Sequence, residues 1–205
     1  MIDNEKYLLA KLITKGKILN FGRYRLSNGI ESPYFLDFTL LSSRIDLLKT
    51  LIDLIDRQFS KHIELEDSDK LIGILDKGAV ITIPLAVKKG KPFALVSPEK
   101  EIVSVGLVDA NDDVVLIDDM LSTGRTTKKI IELLEENYNV KVRKVYVALD
   151  REEGGYHLLS SIGIKVYRLA RISEITKVLY ELGMLTEEEY NMILEHIEAV
   201  KKQYS

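Results

Sequence analysis

Two adjacent carboxylates, Asp118 and Asp119, are followed after Met120 and Leu121 by a hydroxyl- and glycine-bearing run, Ser122, Thr123, Gly124, Arg125, Thr126 and Thr127. The four residues before the pair, Val114, Val115, Leu116 and Ile117, are all apolar. This pattern predicts a buried strand that delivers the acids at its exit and a turn that leads directly into a helix. Such a turn can cradle a phosphate through backbone N–H groups, hydroxyls and the positive end of the helix. Carboxylates cannot bind phosphate themselves, so Asp118 and Asp119 must face hydroxyls or a divalent cation. A sugar phosphate accompanied by Mg²⁺ satisfies both halves. The segment carries neither the GxxxxGK of a P-loop nor the GxGxxG of a dinucleotide site.

Three further places have chemistry to offer. Arg151 follows a second apolar run, where its guanidinium fork suits a planar carboxylate or, equally, an ion pair with Glu152 or Glu153. Lys77 stands between an apolar run and Gly78, as a point charge for a phosphate or as a surface lysine. Tyr34 and Phe35 follow Ser32 and Pro33, and their rings are either core or a stacking surface.

The elements that must position these residues read as α/β. Residues 71–75, 93–96, 114–117, 144–149 and 165–169 are short apolar strands, and 78–89 and 126–136 are helices between them, which implies a mostly parallel sheet covered on both faces. Ligands of such sheets bind at the carboxyl ends of the strands, where Lys77, the acidic pair with its turn, and Arg151 all fall. Before the sheet, residues 3–14 form a helix ended by Gly16, and residues 21–37 form a hairpin turning at Ser27, Asn28 and Gly29. Ser43 and Asp46 form a capping box for a helix running towards Lys61 on Ile45, Leu48, Leu51, Ile52 and Ile55. Residues 64–69 read as a solvated acidic loop. Two helices close the chain, 173–181 and 187–202, the second capped by Thr186 with Glu189.

Composition narrows the chemistry. The 205 residues are 46% hydrophobic and 30% charged, an ordinary globular balance for a single domain. There is no cysteine, which excludes disulfides, thiolate nucleophiles and Cys-ligated metals. His62, His157 and His196 lie far apart without ligand spacing and read as surface or packing residues. A net charge of −3 lacks the basic field of a nucleic-acid binder. No apolar run reaches membrane-spanning length and residues 1–11 do not form a signal segment, so a cytoplasmic protein is expected.

The segment from Val114 to Thr127 resembles the phosphoribosyl pyrophosphate (PRPP) signature of type I phosphoribosyltransferases. Its neighbours narrow the resemblance to orotate phosphoribosyltransferases, over residues 19–175. Phe21-Gly22-Arg23-Tyr24-Arg25-Leu26-Ser27-Asn28-Gly29-Ile30-Glu31-Ser32-Pro33-Tyr34-Phe35 is similar to that family's N-terminal hairpin, whose rings lie near orotate. Asp76-Lys77-Gly78 falls where the family places a lysine on pyrophosphate, and Asp150-Arg151-Glu152-Glu153-Gly154-Gly155 matches a D-R-x-E-G-G element whose arginine pairs with the orotate carboxylate.

The resemblance implies one phosphoribosyltransferase domain over residues 1–205: N-terminal helix and hairpin hood in 1–40, core α/β in 71–170, C-terminal helices in 172–203. It also implies a Mg²⁺-dependent homodimer that makes orotidine 5′-monophosphate from orotate and PRPP in pyrimidine biosynthesis, with no nucleic-acid or membrane partner. Asp118 and Asp119 would hold the ribose hydroxyls, stabilise the reacting ring and share the metal. Lys77 and residues 118–126 would bind PRPP, and Tyr34, Phe35 and Arg151 would bind orotate.

Two departures bear on activity. The family's hood loop carries several cations, whereas Val96-Ser97-Pro98-Glu99-Lys100-Glu101 keeps Lys100 alone, the candidate catalytic lysine; Pro98 to Glu101 also reads as a plain hairpin turn. The hairpin lysine is replaced by Ser27. A catalytically weak PRPP-binding regulator and a transferase for another base are the rival expectations; a purine would leave Arg151 without its carboxylate.

Overall fold

The computed structural model describes residues 3–25, 29, 31–75 and 77–204, the last two of these by backbone alone. Helix α1 (Asn4–Gly16) starts at an Asp3 side chain that accepts from the Glu5 and Lys6 N–H groups. It ends one residue beyond the expected stop, because Lys17, not Gly16, takes the left-handed conformation at φ 52°. Strands β1 (Leu19–Arg25) and β2 (Glu31–Leu36) pair antiparallel as the expected hairpin. Of its turn, Gly29 has φ +84°, while Ser27 and Asn28 lie outside the described residues.

A 3₁₀ turn (Phe38–Ser43) leads into α2 (Ile45–Phe59). The expected capping box does not form: Ser43 closes the 3₁₀ turn, and Arg44 occupies the N-cap without a side-chain bond. The buried stripe falls on Leu47, Leu51, Ile52, Leu54, Ile55 and Phe59, leaving Ile45 exposed. The acidic stretch is not a plain loop either. It holds α3 (Ile63–Glu66), which buries Leu65 and places Glu64 against the Lys165 ammonium and the Tyr167 hydroxyl.

The core is a six-stranded sheet made from β3 (Lys70–Ile74), β4 (Phe93–Ser97), β5 (Ile102–Val105), β6 (Val114–Leu121), β7 (Val142–Asp150) and β8 (Lys165–Arg171), in the order β5-β4-β3-β6-β7-β8. All neighbours are parallel except β4 and β5. One register row runs Ala94, Ile72, Leu116, Val145, Val166. Alternate residues of β6 feed opposite layers. Val115 and Ile117 pack with α1, α2, α4 (Ala79–Lys89), α7 (Ile172–Glu181) and α8 (Glu187–Tyr204). Val114 and Leu116 pack with α5 (Arg125–Tyr138) and Leu159 of α6 (Gly155–Ser161), a short helix that the apolar pattern does not announce. Helix α8 begins with the expected cap, in which the Glu189 N–H donates to Thr186 Oγ1 and the Thr186 N–H to Glu189.

Candidate active site

Strand order reverses between β3 and β6: the chain goes outward from β3 to β4 and β5, then returns to β6 and continues to β7 and β8 on the other side. Their ladder stops at Gly73 and Ile117, although β6 runs on to Leu121. A crevice opens there, the usual place for a ligand in a doubly wound sheet. Gly78 lies against it. A Cβ at this position would meet the carbonyl oxygens of Ile74 and Ile117 at 2.7 Å, so only glycine lets the chain carry Lys77 across the strand ends.

The longer β6 puts Asp118 and Asp119 on the strand itself, at the floor of a cleft of about 790 Å³. The Asp119 N–H donates to Asp118 Oδ1 at 2.9 Å. Asp119 Oδ2 is buried and has no partner within the described protein. Desolvation, then the charge of Asp119, raises the Asp118 carboxyl well above the ordinary carboxylate range; desolvation also raises Asp119, against the opposing charge of Lys77. A buried acceptor without a donor is costly unless a ligand supplies one. Substrate hydroxyls and a hard cation both fit this pair. The described residues hold no group of three metal-ligating side chains, so a Mg²⁺ here would share its ligands with the substrate.

The turn after β6 shapes the rest. Gly124, at φ +77°, caps α5 with no side-chain bond, and Thr123, Thr126, Thr127 and Arg125 line the cleft. Met120 also lines it, whereas Leu121 is core: its side chain is buried, and its carbonyl accepts the Arg151 N–H at 2.8 Å. Ser122 turns its hydroxyl onto Glu153 and can meet a phosphate there only by backbone or by rotating. The loop after β7 is fastened to this turn, the Gly155 N–H donating to the Ser122 carbonyl at 2.9 Å. A Cβ on Gly155 would lie 2.5 Å from that oxygen, so the two loops meet backbone to backbone and Arg151 is held beside the phosphate turn.

Arg151 lines the cleft and is almost wholly buried. The ion pair read from its position forms: its Nε and Nη2 reach Glu153 Oε1 at 2.8 Å, and Nη2 donates to Ser32 Oγ at 3.2 Å. Tyr34 differs from expectation. Its side chain is fully buried and does not line the cleft; the guanidinium sits 4.6 Å from its ring centroid, so Tyr34 supports Arg151 and offers no stacking face to a ligand. Phe35 does line the cleft, with the Lys77 ammonium 4.9 Å from its centroid and Tyr24 stacked at 5.4 Å.

The hood stretch is the hairpin turn of the plainer expectation, closed by the Glu101 N–H to the Ser97 carbonyl at 2.9 Å. Pro98 and Glu99 line the cleft and Lys100 does not; the Lys100 backbone N–H is held by Ser97 Oγ. Two lining cations have no role assigned from the sequence: Arg25, which lies within the hairpin segment at the end of β1, and Lys129 on α5. Helical spacing could have found Lys129, one turn beyond Arg125. A second groove of about 810 Å³, along Phe21, Arg23, Pro33 and Met192, has neither acidic pair nor phosphate turn.

A model of the phosphoribosyl transferase domain matches residues 43–163. The orotate phosphoribosyltransferase of Thermoplasma volcanium is 31% identical over 175 residues, 83% of this chain and 100% of that one. The crystal structure of orotate phosphoribosyltransferase from Aeropyrum pernix matches with a TM-score of 0.72 at 28% identity, over 85% of this chain and 99% of that one. A UMP synthase structure from Leishmania donovani shares the fold, with a TM-score of 0.82 at 20% identity, over 96% of this chain and 43% of its own. Fold and cleft therefore define a type I phosphoribosyltransferase. The chain belongs to the orotate phosphoribosyltransferase family.

Proposed function

We propose that this chain transfers the phosphoribosyl group of PRPP to orotate, with Mg²⁺, giving orotidine 5′-monophosphate and pyrophosphate. What supports this reading is that one cleft holds an acidic pair, a hydroxyl- and glycine-bearing turn at the start of a helix, and a buried arginine. Residues 122–127 receive the 5′-phosphate, and the orphan Asp119 Oδ2, with Asp118, accepts from the ribose hydroxyls. Arg151 orients orotate through its carboxylate while Phe35 lies against the base. The bond from ribose C1 to the pyrophosphate oxygen breaks, the bond from C1 to the orotate ring nitrogen forms on the opposite face, and the proton of that nitrogen is taken up by the released pyrophosphate. As positive charge grows on the ring, the acidic pair below it stabilises that charge without reorganising. Lys77, Arg25 and Lys129 are the cations lining the path of the departing pyrophosphate; Lys100 would join them only from a neighbouring subunit or after the turn moves. Mg²⁺, when bound with PRPP, neutralises diphosphate charge, and Asp118 and Asp119 are the side chains that would hold it.

The proposal includes a cytoplasmic homodimer. Support for the dimer is the exposed apolar face of Ile83 and Val87 on α4 with Leu40 beside it. No helix among the described residues is long and apolar enough to cross a membrane. A coupled assay for orotidine 5′-monophosphate, with and without Mg²⁺ and with uracil in place of orotate, tests the activity. Turnover of orotate alone is expected; equal use of uracil would overturn the assignment of Arg151. Sedimentation tests the dimer, and a monomer at working concentration would remove that part.

A further inference from the structure

The carboxylate of Glu153 has no exposure to solvent, and three separate elements supply its partners. Oε1 accepts from Nε and Nη2 of Arg151, each at 2.8 Å, and Oε2 from the Ser122 hydroxyl. His196, from the C-terminal helix α8, brings Nε2 to 3.3 Å from the same Oε1. The imidazole is itself buried and lies edge-on to Tyr34, with 5.5 Å between centroids, so Tyr34 touches both His196 and Arg151. An ionised carboxylate can only accept, which requires the proton of this contact to sit on His196 Nε2.

We propose that His196 is a positioning residue for orotate recognition: it takes a share of Glu153 Oε1, so that the guanidinium of Arg151 is held in place yet not consumed by its ion pair. This rests on Arg151 binding the orotate carboxylate, as proposed above. Burial alone would push the Glu153 carboxyl up, yet it is held below its ordinary range, and the contact with His196 leads the opposing interactions, ahead of the charge of Arg151. Remove the imidazole, and Oε1 belongs to Arg151 alone. The tighter pair then draws the guanidinium back from the cleft. Ser122 uses the other oxygen, so the phosphate turn is disturbed less.

The test compares His196→Leu with His196→Gln, whose amide N–H can still donate. The leucine variant is expected to raise the KM for orotate about tenfold, the worth of one hydrogen bond to a charged group, with the KM for PRPP changed less than about twofold. Glutamine should restore orotate KM towards the parent value. Equal rises for both substrates, a glutamine variant as impaired as leucine, or lost thermal stability with unaltered kinetics would each overturn the proposal. Should the leucine variant not fold, His196→Asn, polar but too short to reach Glu153, takes its place with the same expected split. A measurement without turnover keeps failure of the proposed activity separate: the ¹⁵N spectrum of the folded parent should show the His196 ring protonated at Nε2. A neutral ring protonated at Nδ1 would refute the contact whatever the protein catalyses.

Discussion

Glu101, on the turn between β4 and β5, holds the ammonium of Lys129, a residue that lines the cleft, at 2.5 Å. Both side chains are more than half exposed, so the pair contributes only about 0–1 kcal/mol to stability. Glu101 offsets the charge of a cation that lines the cleft where the proposed reaction releases pyrophosphate. Glu101→Gln is expected to raise kcat severalfold at low salt, and Lys129→Ala to lower it about tenfold, preorganised charge at a developing anion being worth at least that much. Both variants should melt within about 2 °C of the parent, as exposed sites do. Lys100→Ala serves as the comparison. An effect of Lys100→Ala exceeding that of Lys129→Ala would place the catalytic cation on the turn instead.

Asp118 and Asp119 bring a pH dependence whose sign is opposite to that of a salt-bridged carboxylate. Desolvation, joined at Asp118 by the neighbouring charge, raises both folded values above the unfolded ones. Between the two the folded state binds more protons than the unfolded state, so stability is lost as pH rises from about 4, the unfolded carboxylate range, through the raised folded values. Asp118→Asn keeps the acceptor for the Asp119 N–H but removes the charge. It is expected to raise the melting temperature by about 2–4 °C at pH 7, the effect of about 1 kcal/mol in a chain of this size, and by less at pH 4. The same variant should lose Mg²⁺-dependent PRPP binding by calorimetry. A lower melting temperature at pH 7 would show that the acid is structural.

Much of this site was legible in order along the chain, because each piece lies at the exit of an apolar strand: Lys77 after β3, Asp118 and Asp119 at the end of β6, Arg151 after β7. What was not legible depends on distance in sequence. Tyr34 reads as a ligand ring by its place after Ser32 and Pro33, yet packing of β2 against α8 buries it beneath Arg151. His196 reads as a helix-packing histidine and lies 43 residues from its partner Glu153. The box expected at Ser43 failed for a local reason, a competing 3₁₀ turn over the same residues. Lys129 belongs to no motif and Arg25 is one residue of a long hairpin segment with no role marked on it, and only the folding of the hairpin and α5 around the crevice brings them to it.

Arg151 and Glu153 form a buried ion pair, so Arg151→Ala does two things at once. It removes the proposed orotate contact, and it strands a buried carboxylate, at a cost of about 3–5 kcal/mol. For this chain length that lowers the melting temperature by roughly 6–20 °C. The double variant Arg151→Met with Glu153→Gln is expected to recover most of that loss, since an apolar and a neutral side chain leave no charge unpaired. Its KM for orotate should nevertheless stay raised by tenfold or more, about 1.4 kcal/mol or above, in line with loss of a charged hydrogen-bonding partner. Recovery of orotate affinity in the double variant would show that Arg151 serves the fold alone.

Arg23 and Arg25 lie on the same strand, two residues apart, and offer an internal control for the hairpin. Arg25 lines the cleft with the acidic pair and the phosphate turn, whereas Arg23 lines only the neighbouring groove. Both are exposed at the end of β1, so neither substitution removes core packing, and each alanine variant should melt close to the parent. If the cations that line the cleft screen the pyrophosphate, Arg25→Ala is expected to raise the KM for PRPP about fivefold or more, with a larger effect at low ionic strength, where such charges are least screened. Arg23→Ala should leave it within about twofold, as surface charges outside a site do. The salt dependence is the sharper readout, because a cation contacting diphosphate loses influence as ionic strength rises while a merely structural arginine does not. Identical kinetics for the two variants across a salt titration would remove Arg25 from the site and leave Lys77 and Lys129 to meet the leaving group.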